Sequence, residues 1–339
     1  MITRGALTLA DALIARSRTA HASGPMSYLH TFGPAGYPVT RLGWGLGLVA
    51  CAVVVIIAVL LLGGIFRARR STAEPASGLA VRRDAGGMAW IYIGVGISIL
   101  VLIVCMVWTL IVTAAISQPR TAPGLTVQVT ASQWWWDLRY DNPQSSRIFT
   151  AANEIHIPVG QPVRFELNSA DVIHSFWIPK LGGKTDVIPG QTNVTWLQAD
   201  QPGLYRGQCA VFCGAEHARM ALIVVAQTPA DFRAWQARQI ADASNPVTAQ
   251  ARDGEQLVQS HCAACHTIRG TPAGGHVGPD LTHLMSRQTL AAGVLPNTTG
   301  NLAAWIMRPQ AIKPGSRMPD QMLSARQLAA VVTYLQTLQ

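Results

Sequence analysis

Two long stretches without a charged side chain limit what this chain can fold into. Leu42 to Phe66 and Met88 to Ala115 contain no Asp, Glu, Lys or Arg. Each exceeds the roughly 20 apolar residues that cross a bilayer core as a helix, and uncharged runs of that length are rare in soluble cores. The chain therefore reads as a multi-domain membrane protein, opening with a transmembrane helical hairpin over 42–118 (spans about 42–66 and 88–115). These segments also explain why only 13% of its 339 residues are charged.

The loop between the spans carries Arg67, Arg69, Arg70, Arg82 and Arg83 against Glu74 and Asp84. Short arginine-rich loops stay cytoplasmic, so both ends of the hairpin are expected outside, with everything after Gln118 exported. The tail before the first span also carries Arg4, Arg16, Arg18 and Arg41, which pulls the other way. Residues 1–41 read as an N-terminal segment, either a signal ending near Ala20, His21 and Ala22 or a mis-assigned start with Met26 as the true one. The net charge of +9 does not indicate nucleic-acid binding. Residues 120–226 balance eight Lys/Arg against eight Asp/Glu, and much of the excess lies in the tail and the inner loop.

Beyond a connector at 119–124 the pattern turns strand-like. Leu125 to Thr130, Glu154 to Pro158 and Val163 to Leu167 alternate or run apolar, and Gly/Pro turns punctuate them, which suggests a β-sandwich of about a hundred residues over 119–228. Thr228 and Pro229 open a helix over Ala230 to Ile240, and 229–248 forms a helix and linker. Residues 249–339 are helical in character, with one helix running into Cys262 and another over Ser324 to Leu338.

Two ligand patterns follow one another. Cys209, Cys213, His217 and Met220 fall in one short loop, with His174 upstream. Thiolate, imidazole and thioether favour copper over the oxygen-seeking Mg²⁺ and Ca²⁺. Two thiolates suit a pair of bridged coppers better than a single blue-copper ion. Zinc, the competing metal for two Cys and two His, has no use for Met220. In the second pattern Cys262, Cys265 and His266 form the attachment motif of a c-type haem. Met318 is the candidate sixth ligand, with Met285, Met307 and Met322 as alternatives. Reading the four exported cysteines as disulfides leaves these histidines and methionines idle. Cys51 and Cys105 lie in the spans and read as packing residues.

On these residues, together with Lys184 to Gly190 and Pro202 to Tyr205, residues 40–226 resemble cytochrome c oxidase subunit II with its dinuclear CuA centre. Residues 250–339 resemble class I cytochromes c. The resemblance implies a cupredoxin-like β-sandwich followed by an all-α cytochrome c domain. It also implies that Cys209 and Cys213 bridge two coppers, that His174 and Met220 complete one, and that His217 and the Val211 carbonyl complete the other. Haem c would be bound by Cys262, Cys265, His266 and Met318, with the Pro279 carbonyl orienting His266. The family carries an acidic residue where this chain has Val211, so the Mg²⁺ that such a carboxylate helps hold is doubtful here. Trp134, beside Trp135 and Trp136, would lie where electrons enter from a cytochrome, as an exposed indole. His156 reads as structural.

The implied function is that of an electron-transfer subunit of a caa3-type oxidase in a bacterial inner (plasma) membrane. Electrons would pass from haem c to CuA and on to a catalytic haem-copper subunit I, accompanied by a subunit III, where O₂ is reduced. The upstream donor would be a cytochrome c or a cytochrome bc1-type complex. Two alternatives remain at this stage, the CuA subunit of a haem-copper nitric oxide reductase and a free-standing membrane-anchored redox carrier.

Overall fold

The computed structural model describes Gly24 and residues 26–70 and 87–339. The Ala20 to Ala22 segment and loop residues 71–86, with Arg82, Arg83, Glu74 and Asp84, lie outside the described residues. The chain divides into two compact units, Tyr37–Gln118 and the remainder.

The first unit is a helical pair, α1 (Tyr37–Arg70) and α2 (Gly87–Ile116). Both are long and apolar enough to cross a membrane, and Leu60, Leu102 and Leu110 are exposed along them. Ser98, Thr109 and Thr113 each donate their hydroxyl to the carbonyl four residues earlier. These polar groups are thus satisfied inside α2, as an apolar solvent demands.

The second unit begins with a sandwich of two five-stranded sheets. Its strands are β1 (Leu125–Ser132), β2 (Trp135–Tyr140), β3 (Phe149–Ala152), β4 (Glu154–Pro158), β5 (Val163–Ser169), β6 (His174–Trp177), β7 (Thr185–Val187), β8 (Asn193–Leu197), β9 (Gly203–Cys209) and β10 (Ala221–Gln227). One sheet runs β3-β2-β1-β5-β8 and the other β4-β10-β9-β6-β7. The period of two in β1 and β5 explains the layering. Val127 and Val129 pair in parallel register with Phe165 and Leu167, and all four are fully buried, while the residues between them face outward. Burial of one such Phe or Leu stabilises by about 1.5–3 kcal/mol.

Ahead of α1, Phe32 lies on this sandwich. Its N–H donates to Lys180 O, its carbonyl accepts from Asp200 N–H, and its ring packs on Tyr205. Behind β10 comes α3 (Pro229–Ile240), capped by Thr228, whose side chain accepts from Asp231 N–H. Trp235 of α3 stacks on His156 with ring centroids 4.0 Å apart, and Gln227 Oε1 lies 3.0 Å from His156 Nδ1. Burial lowers the His156 pKa to about 4, so this histidine is a neutral core residue, as expected.

The rest is helical: α4 (Ala249–His261), α5 (Thr299–Met307), the single turn α6 (Pro309–Ile312) and α7 (Ala325–Leu335). Ser324 and Gln327 form a reciprocal capping box at the start of α7. Val258 of α4 shares a core with Val331, Tyr334 and Leu335 of α7. A two-residue antiparallel hairpin, β11 (Thr289–Leu290) with β12 (Leu295–Pro296), is an addition to the helical pattern read from the sequence.

Candidate redox sites

Three adjacent strands deliver the metal-type donors. β9 ends at Cys209, β10 resumes after Met220, and the loop between them holds Cys213 and His217. β6, the neighbour of β9, begins with His174. Cys209 Sγ lies 3.7 Å from Cys213 Sγ and 3.9 Å from His174 Nδ1. Cys213 Sγ lies 3.6 Å from His217 Nδ1 and 3.9 Å from Met220 Sδ. The Val211 carbonyl faces Cys209 Sγ at 3.3 Å. Two sulfurs therefore sit centrally, with one imidazole beside each. His174, Cys209 and Cys213 are buried, and their donor atoms all fall within 4.8 Å of one another.

The protons of this cluster are shared unequally. The hydrogen bond with Cys213 lowers the Cys209 thiol pKa strongly, against the opposing effect of burial. The same contact, with burial, raises the Cys213 pKa. The two thiols therefore share their protons unequally, and a soft cation bound to both would displace them.

Around the donors stands a hydrogen-bonded frame. Asp171 Oδ1 lies 2.9 Å from His174 Nε2 and also accepts from Val172 N–H, which leaves Nδ1 aimed at Cys209. Asp171 Oδ2 accepts from Gln133 N–H. The Cys213 carbonyl accepts from both Gln133 Nε2 at 2.8 Å and Trp134 Nε1 at 3.0 Å. Gly214 permits this approach. Its φ is +115°, and a Cβ there would come within 2.9 Å of Gln133 Nε2 and 3.1 Å of Trp134 Cζ2.

Trp134 is not the exposed indole expected from the sequence. It is only 8% exposed, because the helical region covers it: Lys313 donates to its carbonyl, and Gly315 lies against its ring. Trp136 is fully buried, and its ring meets His174 and Phe176 edge-on. The exposed aromatic of this region is Phe212, 77% exposed within the copper-type loop, and Ile173, directly before His174 in the chain, is half exposed.

Between the sandwich and the helices lies a cavity of about 210 Å³, far larger than the space one water needs. Cys262, Cys265, His266 and Met318 of the helical region line it, together with Gln133, Trp134 and Trp135 of the sandwich. Met318 is the one methionine among its lining residues. Met322, an alternative read from the sequence, is 98% exposed. His266 Nδ1 lies 2.7 Å from Pro279 O. Burial lowers the His266 pKa, so the ring is neutral, donates through Nδ1 and keeps the Nε2 lone pair free. Gly278 makes room for this ring, since a Cβ there would stand 2.6 Å from His266 Cε1. Burial raises the Cys262 pKa to about 11.

Sequence reading missed four residues of this arrangement. Asp171 orients His174, Gln133 holds the Cys213 carbonyl, Lys313 crosses to Trp134, and Arg317 reaches Asp171 at 3.5 Å. Asp171 had a faint signal, a carboxylate three residues before a candidate ligand. The others had none.

Residues 141–227 match the family model for the cytochrome c oxidase subunit II periplasmic domain, and 251–339 match that for cytochrome c. A relative from Alkalihalophilus pseudofirmus named cytochrome c oxidase subunit 2 is 40% identical over 214 residues, covering 62% of this chain and 60% of that protein. A protein of the same name from Bacillus sp. PS3 is 32% identical over 232 residues, covering 65% and 64%. The periplasmic domain of subunit II of cytochrome oxidase from Bradyrhizobium japonicum is 31% identical, covering 35% of this chain and 95% of that one, with a TM-score of 0.33. This chain is similar to cytochrome c oxidase subunit II in one domain and to cytochrome c in the next. The match to the subunit II periplasmic domain is followed by the match to cytochrome c, and the chain spans about 60% of the length of the curated relatives it matches. A subunit II domain implies copper, and a cytochrome c domain implies haem. The residues fit both groups: six soft or carbonyl donors converge in the first site, and an apolar cavity with a free imidazole lone pair and a thioether forms the second. The two long apolar helices, ahead of a match to a periplasmic domain, suit a membrane-anchored chain.

Proposed function

We propose that this chain is the electron-transfer subunit of a caa3-type cytochrome c oxidase, feeding a catalytic haem-copper partner that reduces O₂ to water. The observation that carries the reading is the contact between the two sites: Trp134 lines the haem-type cavity while its indole N–H donates to Cys213 O. One-electron chemistry would come from a copper pair and a haem when bound. The chain's own part is to hold and orient. Cys209 and Cys213 would bridge the coppers, with His174 and Met220 completing one and His217 and the Val211 carbonyl the other. Cys262 and Cys265 would bond the haem covalently, with His266 and Met318 on its two faces. Asp171 fixes His174 from behind, and the Pro279 carbonyl fixes His266.

Burial of the Trp134 ring favours it as an internal connector rather than a landing surface for a foreign cytochrome. An external cytochrome c or bc1-type donor would then deliver electrons to the cytochrome domain. Phe212 and Ile173, exposed on the copper-loop side, offer an apolar surface to subunit I. Val211 has no carboxylate to lend a Mg²⁺ at that contact. Subunit III, a bacterial inner membrane and residues 119–339 on its outer side complete the reading. The test is oxygen uptake by the purified complex containing this chain, driven by reduced cytochrome c or an artificial donor. Nitric oxide consumption without oxygen uptake would assign the terminal reaction to a reductase instead.

A further inference from the structure

The segment from Ile312 to Met318 touches the copper domain at more points than a tether requires. Lys313 is 2% exposed. Its Nζ donates to Trp134 O at 2.6 Å, Arg219 O at 2.9 Å and Ala291 O at 3.1 Å. Burial lowers the Lys313 pKa to about 7; in its protonated form the amine has three N–H donors, and each finds a carbonyl. Two of the acceptors belong to the copper domain and the third to the turn after β11. Arg219 returns the contact, its Nη1 donating to Ile312 O at 2.8 Å.

The acceptors matter more than their number. Trp134 is the residue whose indole holds Cys213 O, and Arg219 directly precedes the donor Met220. One amine thus grips both the backbone of Trp134 and the return limb of the copper loop. A buried amine, charged or neutral, is tolerated only while its hydrogen-bond partners are fixed around it. The arrangement therefore favours a single spacing of the loop and resists intermediate ones.

We propose that Lys313 is a positioning residue that clamps the Met318-bearing loop onto Trp134 and the copper loop, setting the gap between the haem cavity and the copper donors. Its consequence for electron flow rests on the electron-transfer reading above, but the clamp itself rests on the geometry alone.

The experiment compares the full chain, loaded with copper and haem in detergent, with Lys313→Met and Lys313→Arg. Hydrogen exchange is read at the Ala221 amide, which donates to Ala292 O across the interface, and at the Gln288 and Thr289 amides, which donate to Glu154. Flash reduction of the haem then reports the haem-to-copper rate. Lys313→Met is expected to keep both cofactor spectra, to exchange these amides roughly tenfold faster, and to slow the transfer by roughly tenfold or more. Lys313→Arg, which keeps a cation and its donors, is expected to recover most of both losses. Wild-type exchange and wild-type transfer in Lys313→Met overturn the clamp. Should that variant fail to load haem, Arg219→Ala removes the return bond to Ile312 O and an ion pair with Glu216 within the copper loop, and unchanged exchange there overturns the clamp equally. A wild-type chain with both cofactors but no transfer contradicts the electron-transfer reading, and the exchange results then decide the clamp on their own.

Discussion

The indole of Trp134 and the carbonyl of Cys213 are joined by a hydrogen bond of 3.0 Å, and Trp134 lines the same cavity as Cys262, Cys265, His266 and Met318. A single side chain therefore touches the backbone of a copper-type donor and the wall of a haem-type pocket. In the proposed function, the route between the sites would lie within one folded unit and need no encounter between separate proteins.

Replacing Trp134 by Phe tests that route. The Cys213 carbonyl keeps its bond from Gln133 Nε2, so no buried acceptor is left unpaired. The loss of one neutral hydrogen bond is expected to cost about 0.5–1.5 kcal/mol in thermal unfolding. Haem-to-copper transfer after flash reduction is expected to slow, with both cofactor spectra unchanged. A wild-type rate in the variant rules out the indole as connector.

Cys213 is the sulfur nearest to both His217 and Met220. Its replacement by Ser exchanges a soft bridging donor for a hard, weaker one. Copper content is expected to fall from about two ions per chain to one or none, because copper in such a site is held by its thiolates. Metal analysis after dialysis reads this directly. Two retained coppers would remove Cys213 from the bridging role.

At Gly278 a single methyl group is the probe. In Gly278→Ala the new Cβ would stand 2.6 Å from His266 Cε1, so the imidazole must leave its bond to Pro279 O. Haem loading is expected to drop, and the absorption band of methionine-ligated ferric haem to weaken. The copper signal should remain. An unchanged haem spectrum would mean that His266 is not held as described.

Glu154 makes the domain interface sensitive to pH. Its Oε1 accepts from Gln288 and Thr289 N–H, and burial raises its pKa from 4.5 to about 7, against the opposing pull of these bonds and of Arg287. Asp137, raised to about 6 by burial and the Asp280 charge, lies in the same group. The folded chain thus holds a proton on Glu154 that the unfolded chain releases between pH 4.5 and 7, so stability falls as pH rises through that window. Glu154→Gln keeps an acceptor and cannot ionise. It is expected to flatten this slope and to gain up to about 3 kcal/mol above pH 7. Denaturant midpoints measured from pH 4 to 8 check it, and a variant with the wild-type slope contradicts it.

The parts legible in the sequence were those written in short spacing. Cys209, Cys213, His217 and Met220 share one loop, and Cys262, Cys265 and His266 share another, so local patterns announced both donor sets. The spans were legible because bilayer length and the absence of charge leave little else. His174 came with the family resemblance, and the pairing of β6 with β9 is what brings it to the cysteines. The covering of Trp134 was not legible. It depends on Lys313, 179 positions away, and a lone lysine beside Pro314 and Gly315 has the pattern of a surface turn. An indole that looked exposed in the copper domain alone is buried because a second domain, read separately, packs on it.

The central claim is a copper pair and a haem held side by side in one chain, and a low-temperature electron paramagnetic resonance spectrum of the oxidised, fully metallated protein tests it most directly. The account predicts one unpaired electron shared by two equivalent coppers, beside a low-spin ferric haem. A mononuclear copper signal, or none at full copper loading, would contradict it.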